Sequence, residues 1–139
     1  MFSPNHYLVR IGDSKNFWNS SPIGIWGMKI LNRGVKPGDI LWFIRDGGKA
    51  VAVAKFKTIR GRTYTDEELG WSGAGGWTKE ILYQDLYDIR SLDLQTKIKG
   101  QQVMRRYNPE RCKVDLIQEY TNIVRYSQVV KYSVLGYCT

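Results

Sequence analysis

The sequence predicts an α+β domain built on a small, curved or barrel-like mixed β-sheet with short flanking helices, and three observations lead there. The chain has 139 residues, the length of one domain, and 42% of them are hydrophobic, enough for one core. Its apolar runs are short, rich in β-branched and aromatic residues, and separated by turn residues that suit hairpins rather than full crossover helices. The helical stretches between them are brief. Residues 1–139 are therefore read as one domain, without repeats, linkers or low-complexity segments.

His6 to Ile11 alternates apolar and polar side chains up to Gly12 and Asp13, which predicts a first strand. Asp13 suits the N-cap of a short helix from Ser14 to about Ser20, and Pro22 and Gly24 turn the chain before Ile25, leaving Trp26 at an element edge on a loop. Val35 to Asp39 is a Pro-Gly turn feeding the apolar run Ile40 to Ile44, a central strand. Asp46 to Lys49 then forms the turn of an antiparallel hairpin with Val51 to Ile59. Thr65 to Glu68 reads as a capping-box start for one helical turn stopped by Gly70, and Gly73 to Gly76 as a mobile loop between Trp71 and Trp77. Thr78 to Ile89 resumes strand character. Beyond it the expectations are a strand near Leu94 to Ile98, a helical turn from Gln101 to Tyr107, a helix capped by Asp115 to about Tyr120, and a closing strand within Val124 to Val134.

Composition narrows the chemistry. A net charge of +8 makes a polyanion a natural partner, although solubility alone accounts for such a charge equally well. Residues 45–62 and 97–113 carry most of the basic side chains and either share one phosphate-facing patch or form separate solvated surfaces. No apolar run approaches the roughly 20 residues of a membrane-spanning helix, so no membrane partner is expected. Cys112 and Cys138 show neither disulfide nor zinc-site spacing and are expected as reduced thiols. His6, the one histidine, lies in a strand and is expected to be structural. No nucleophile elbow, P-loop or metal-ligand cluster occurs, and the glycines around residue 75 lack the strand and long helix that make a phosphate cradle. No catalytic residue, metal or cofactor is expected.

The five tryptophans are the anomaly. Trp42, inside an apolar run, is a core residue, whereas Trp26, Trp71 and Trp77 stand beside glycines in expected loops. They either cover a core edge or form walls on which an extruded base stacks, each stack contributing roughly 1–3 kcal/mol.

Taken together, Gly24-Ile25-Trp26-Gly27-Met28, Val35-Lys36-Pro37-Gly38-Asp39, Ile40-Leu41-Trp42-Phe43 and Val51-Ala52-Val53-Ala54 resemble the opening half of an EVE domain, with its "WG" segment and "KxGD" turn. They are also similar to the YTH domain; both belong to the PUA-like group. The likeness covers residues 6–89. It implies a PUA-like sheet, with Trp26 as the first wall of an aromatic cage beside Gly27 and Met28, Asn16 as a polar contact to the base, and Trp77, with Trp71, as the second wall. The candidate contacts to the nucleic-acid backbone come from the basic charge instead and are Lys55, Lys57, Arg60, Arg62, Lys79, Arg105 and Arg106. The G-x-K-x-x-E-x-R motif of the related ASCH group is absent. The segment Thr65 to Trp77 also resembles stand-alone EVE-like proteins of large DNA viruses.

The expected function is a non-catalytic module that binds RNA or DNA through a modified, flipped-out base, acting inside the cell in cytoplasm or nucleus, the host's if the protein is viral. The alternative is a protein-interaction or host-modulating module on the same fold with a filled pocket. A small-substrate enzyme is the third reading.

Overall fold

A computed structural model describes residues 3–29, 34–96 and 104–126. In chain order these form β1 (His6–Arg10), α1 (Lys15–Ser20), β2 (Ile25–Met28), β3 (Ile40–Ile44), β4 (Ala50–Gly61), α2 (Asp66–Leu69), β5 (Lys79–Asp88), β6 (Met104–Arg106) and α3 (Leu116–Tyr126). One six-stranded sheet holds the strands in the order β2-β5-β4-β3-β1-β6. The sheet is mixed, because β1 runs parallel to β3 while the other pairs are antiparallel. Register shifts between β3 and β4 and at two places between β4 and β5 mark irregular pairing that bends strands and raises their twist. The sheet curls into a half-barrel, as expected.

The β3–β4 hairpin forms as expected around the Asp46–Lys49 turn. All five residues of β3 are buried, because both faces of the sheet are covered. Leu41 and Phe43 point into one cluster with Phe17, Trp26, Trp71, Trp77 and Tyr83, roofed by α1 and α2. Ile40, Trp42 and Ile44 point into the other, where Leu116 and Ile123 of α3 pack with Tyr120 at its edge. Asp39, fully buried, accepts hydrogen bonds from the Asn5 and Lys36 amides and pins the turn before β3.

Several local expectations need correction. Ser14, not Asp13, is the N-cap of α1; it sits in the left-handed region at φ 75°, and the Asp13 carboxylate accepts from the Lys15 amide. Trp26 lies within a strand, because Gly24 at φ 68° reverses the chain and lets β2 pair with β5. Met104 to Arg106 form an edge strand on β1 rather than a helical turn; residues 101–103 lie outside the described residues. Gln95 makes only an isolated bridge to Lys49, and residues 97 and 98 of that expected strand also lie outside. Asp115 does cap α3, accepting from the Gln118 amide, but the helix runs on to Tyr126 because Leu116, Tyr120 and Ile123 at helical spacing face the sheet. Val124 thus ends a helix instead of opening a strand, and residues 127–134 lie outside the described residues. The capping box at Thr65 and Glu68 and the Gly70 stop, at φ 70°, are as expected.

His6 is buried against Trp42, whose indole N–H donates to its Nδ1 at 2.9 Å, with Tyr107 and Tyr120 around it. Burial lowers its pKa from 6.5 to about 4, against the opposing pull of Asp39 and Asp115. The folded protein therefore holds His6 neutral where the unfolded chain binds a proton. Stability is fully present above the unfolded value of 6.5 and is lost as pH falls toward the folded value near 4. Denaturant titration is expected to show a loss of about 2 kcal/mol between about pH 7.5 and pH 5, a window above most carboxylate titration, and His6→Gln is expected to flatten it.

Candidate functional site

The curl brings together residues from distant parts of the sheet. The C-terminal end of β1 with the turn into α1 forms one wall of a cleft of about 560 Å³, and β2 with the loop after α2 forms the other. Trp26, Gly27, Met28, Asn16, Trp71 and Trp77, the residues singled out from sequence, all line it. Arg10 and Lys29 line it too and were missed, since neither lies in a basic run and only the fold puts them on facing walls.

The indoles are packed rather than open. Trp26, Trp71 and Trp77 are 6%, 7% and 4% exposed. Trp71 sits between the other two, with ring centroids 5.1 Å from Trp26 and 5.0 Å from Trp77 at interplanar angles of 56° and 59°. A base held between two parallel rings needs roughly 7 Å between them, twice the optimal contact distance. At about 5 Å and steep angles, neither Trp26 nor Trp77 leaves room for a base against Trp71 in this arrangement. A Cβ on Gly27 would lie 2.6 Å from Cδ2 and Cε3 of Trp77 and 3.0 Å from Cζ3 of Trp71, so the glycine is what admits both rings to the strand. Above Trp77 lies the Arg62 guanidinium, 3.9 Å from the ring centroid. Asp66 accepts from both Trp77 Nε1 at 2.6 Å and Arg62 at 3.2 Å.

The loop between Trp71 and Trp77 is fastened at both ends. Asn16 donates from its carboxamide to the Ser72 carbonyl at 3.0 Å and accepts from the Ser72 amide at 3.1 Å, while Asn19 donates to the Gly70 carbonyl at 2.7 Å. At the far end the Thr78 amide donates to the Met28 carbonyl at 3.2 Å. Asn16 here holds the loop with the groups that would otherwise read a base. The Trp71 indole N–H, buried, has no acceptor among the described residues, a state that costs about 1–3 kcal/mol.

The candidate backbone contacts do not gather on one face. Lys55 stands opposite Ile40, whose side chain packs under α3, and it pairs with Asp85 at 4.0 Å, away from the tryptophans; Lys57, exposed, falls at the register shift between Phe56 and Thr58. Arg60 is bound to Glu80 at 2.8 Å. Burial opposes the charge of Glu80, but bonds from Arg60, from the Thr63 hydroxyl and amide, and from the Tyr64 amide hold its carboxyl below the usual range. Arg62 is spent on Trp77 and Asp66. Lys79, exposed, is the cross-strand neighbour of Met28 at the cleft edge. Arg105 and Arg106 are exposed on edge strand β6, where Arg106 donates to Asn5 at 2.9 Å.

No family model matches the sequence, and no curated protein does. Solved structures match the fold. An ASCH domain from Zymomonas mobilis is 8% identical with a TM-score of 0.53, the match covering 91% of this chain and 97% of that one. The YTH domain of Pho92, solved in complex with m6A, is 15% identical with a TM-score of 0.55, covering 93% of this chain and 89% of that one. Identities this low carry the architecture alone: the chain has the PUA-like α+β fold that ASCH and YTH domains share.

Proposed function

We propose that this chain is a non-catalytic nucleic-acid-binding module that takes an extruded, modified base into the tryptophan cleft. The observation that carries the reading is the convergence of Trp26, Trp71 and Asn16 from three separate elements on one open cleft, with the cations Arg10 and Lys29 on its walls. The YTH neighbour solved with m6A supports it, as do the resemblance of residues 6–89 to the EVE domain and that of Thr65 to Trp77 to stand-alone viral EVE-like proteins. Uptake of a base parts Trp71 from Trp26, replacing an indole–indole contact by two indole–base contacts. The four glycines between residues 70 and 77 allow that movement and add an ordering cost to it. Phosphates on either side of the base meet Arg10, Lys29 and Lys79. The buried, neutral His6 is engaged by Trp42, which agrees with a binding rather than a catalytic role. The reading places the protein inside the cell, in cytoplasm or nucleus.

A second reading, a protein-interaction module with a filled pocket, draws on a specific observation: the three indoles already satisfy one another's contacts. Two experiments separate the readings. Titration with RNA carrying one N6-methyladenosine, beside the unmodified strand and the DNA equivalent, is expected to show tighter binding of the modified strand. The affinity is expected to fall steeply with salt, as counterion release demands, and Arg10→Gln with Lys29→Gln to reduce that slope. Equal, salt-independent binding of all strands, or none, leaves the filled-pocket reading.

The second experiment substitutes Gly27. Gly27→Ala is expected to displace Trp77, destabilising the fold by about 1–3 kcal/mol and shifting tryptophan fluorescence, and to weaken base binding as well. Trp26→Ala, at a packed position, is expected to cost roughly 3–5 kcal/mol by thermal melting, so Trp26→Phe is the informative binding variant. Stability loss without any change in nucleic-acid affinity would make the tryptophans core alone.

A further inference from the structure

Three buried indoles show how this fold treats an N–H donor. Trp42 gives its hydrogen to His6 at 2.9 Å and Trp77 gives its own to Asp66 at 2.6 Å. Trp71 gives its hydrogen to nothing among the described residues, although it lines the cleft and its neighbours Arg10 and Asn16 are paired with Asp46 and Ser72. It is the six-membered ring of Trp71 that approaches Gly27, where an added Cβ would lie 3.0 Å from Cζ3, and Nε1 belongs to the other ring of the indole. The donor is closed to solvent here, and the residues that follow it along the cleft wall are Gly73, Ala74 and Gly75.

We propose that the Trp71 indole N–H is the specificity-determining donor of the cleft, giving its hydrogen to an acceptor atom, a ring nitrogen or a carbonyl oxygen, on the bound base. This rests on the base-binding reading above. When Trp71 parts from Trp26 the donor swings with it, and a base that presents an acceptor there takes up its hydrogen bond. A base that presents a methyl group or a donor there leaves the N–H unpaired inside a filled cleft and is rejected, the asymmetry by which a buried polar group discriminates against ligands that cannot pair with it. The modification is then read by the indole faces, and the identity of the base by this one edge.

The test replaces Trp71 by benzothienylalanine, in which sulfur stands where the N–H was and the ring shape is kept, with Trp71→Phe as the genetically encoded companion. Because the N–H has no acceptor among the described residues, the melting temperature of Trp71→benzothienylalanine is expected to stay level or rise, whereas Trp77→benzothienylalanine, losing its bond to Asp66, melts lower. Wild type and variants are titrated with N6-methyladenosine and its 1-deaza, 3-deaza and 7-deaza analogues, each lacking one acceptor nitrogen. One analogue is expected to bind the wild type roughly tenfold more weakly than the parent, and the sulfur variant to bind both with the same reduced affinity. A sulfur variant that keeps wild-type affinity and discriminates among the analogues as before would overturn the inference while leaving base binding intact. A wild type that binds neither the nucleoside nor the methylated RNA would overturn the base-binding reading, and the inference with it.

Discussion

A sheet with apolar residues on both faces must be covered on both faces, and that constraint organises this molecule. The run Ile40 to Ile44 is at most 1% exposed at every position, with alternate side chains pointing to opposite sides. On one side the chain supplies α3, an amphipathic helix laid over Trp42 and Ile40. On the other it has only the short α1 and α2, too small to bury Leu41, Phe43, Val51 and Phe56 alone. Large aromatic side chains from α1, β2 and the loop after α2 fill the difference. Trp26, Trp71 and Trp77 are present in the first instance because a small sheet with short helices needs wide side chains to complete its core.

The candidate site is made from that same covering layer. The indoles that finish the core also form the floor of the cleft where the curled sheet brings β1 toward β2. This dual use sets the energetics of binding. On the proposed function a base must separate Trp71 from Trp26 and give back at least the contact it breaks, while the glycines of the loop lose conformational freedom. Gly27 allows two rings to lie on the strand, and Arg62 and Asp66 hold Trp77 in place, whereas the Trp71 indole N–H has no acceptor among the described residues, so on the proposed function Trp71 is the member of the trio that moves.

Charge follows a similar division. Much of the positive surface visible in the sequence serves structure: Arg60 neutralises a buried glutamate that anchors the Thr63–Tyr64 turn, and Arg62 roofs an indole. The cations that line the cleft, Arg10 and Lys29, and Lys79 across from Met28, are scattered in sequence and come from three different strands or their ends, and Arg10 is itself paired with Asp46.

By itself the sequence determined the short-strand α+β character, the β3–β4 hairpin, the capping box at Thr65, the core place of Trp42 and the structural place of His6, because each of these follows from local turn chemistry or side-chain periodicity, while the six residues that meet in the cleft were singled out by the resemblance to EVE and YTH domains. Only the tertiary structure decided how those residues meet. Whether Trp71 stacks on a ligand or on Trp26, whether Asn16 reads a base or ties down Ser72, whether Lys55 reaches the cleft or the far face, and whether Met104 to Arg106 turn as a helix or pair as an edge strand all depend on contacts between segments tens of residues apart. Local propensity carries no information about such contacts, and the half-barrel curl that creates them is a property of the whole sheet.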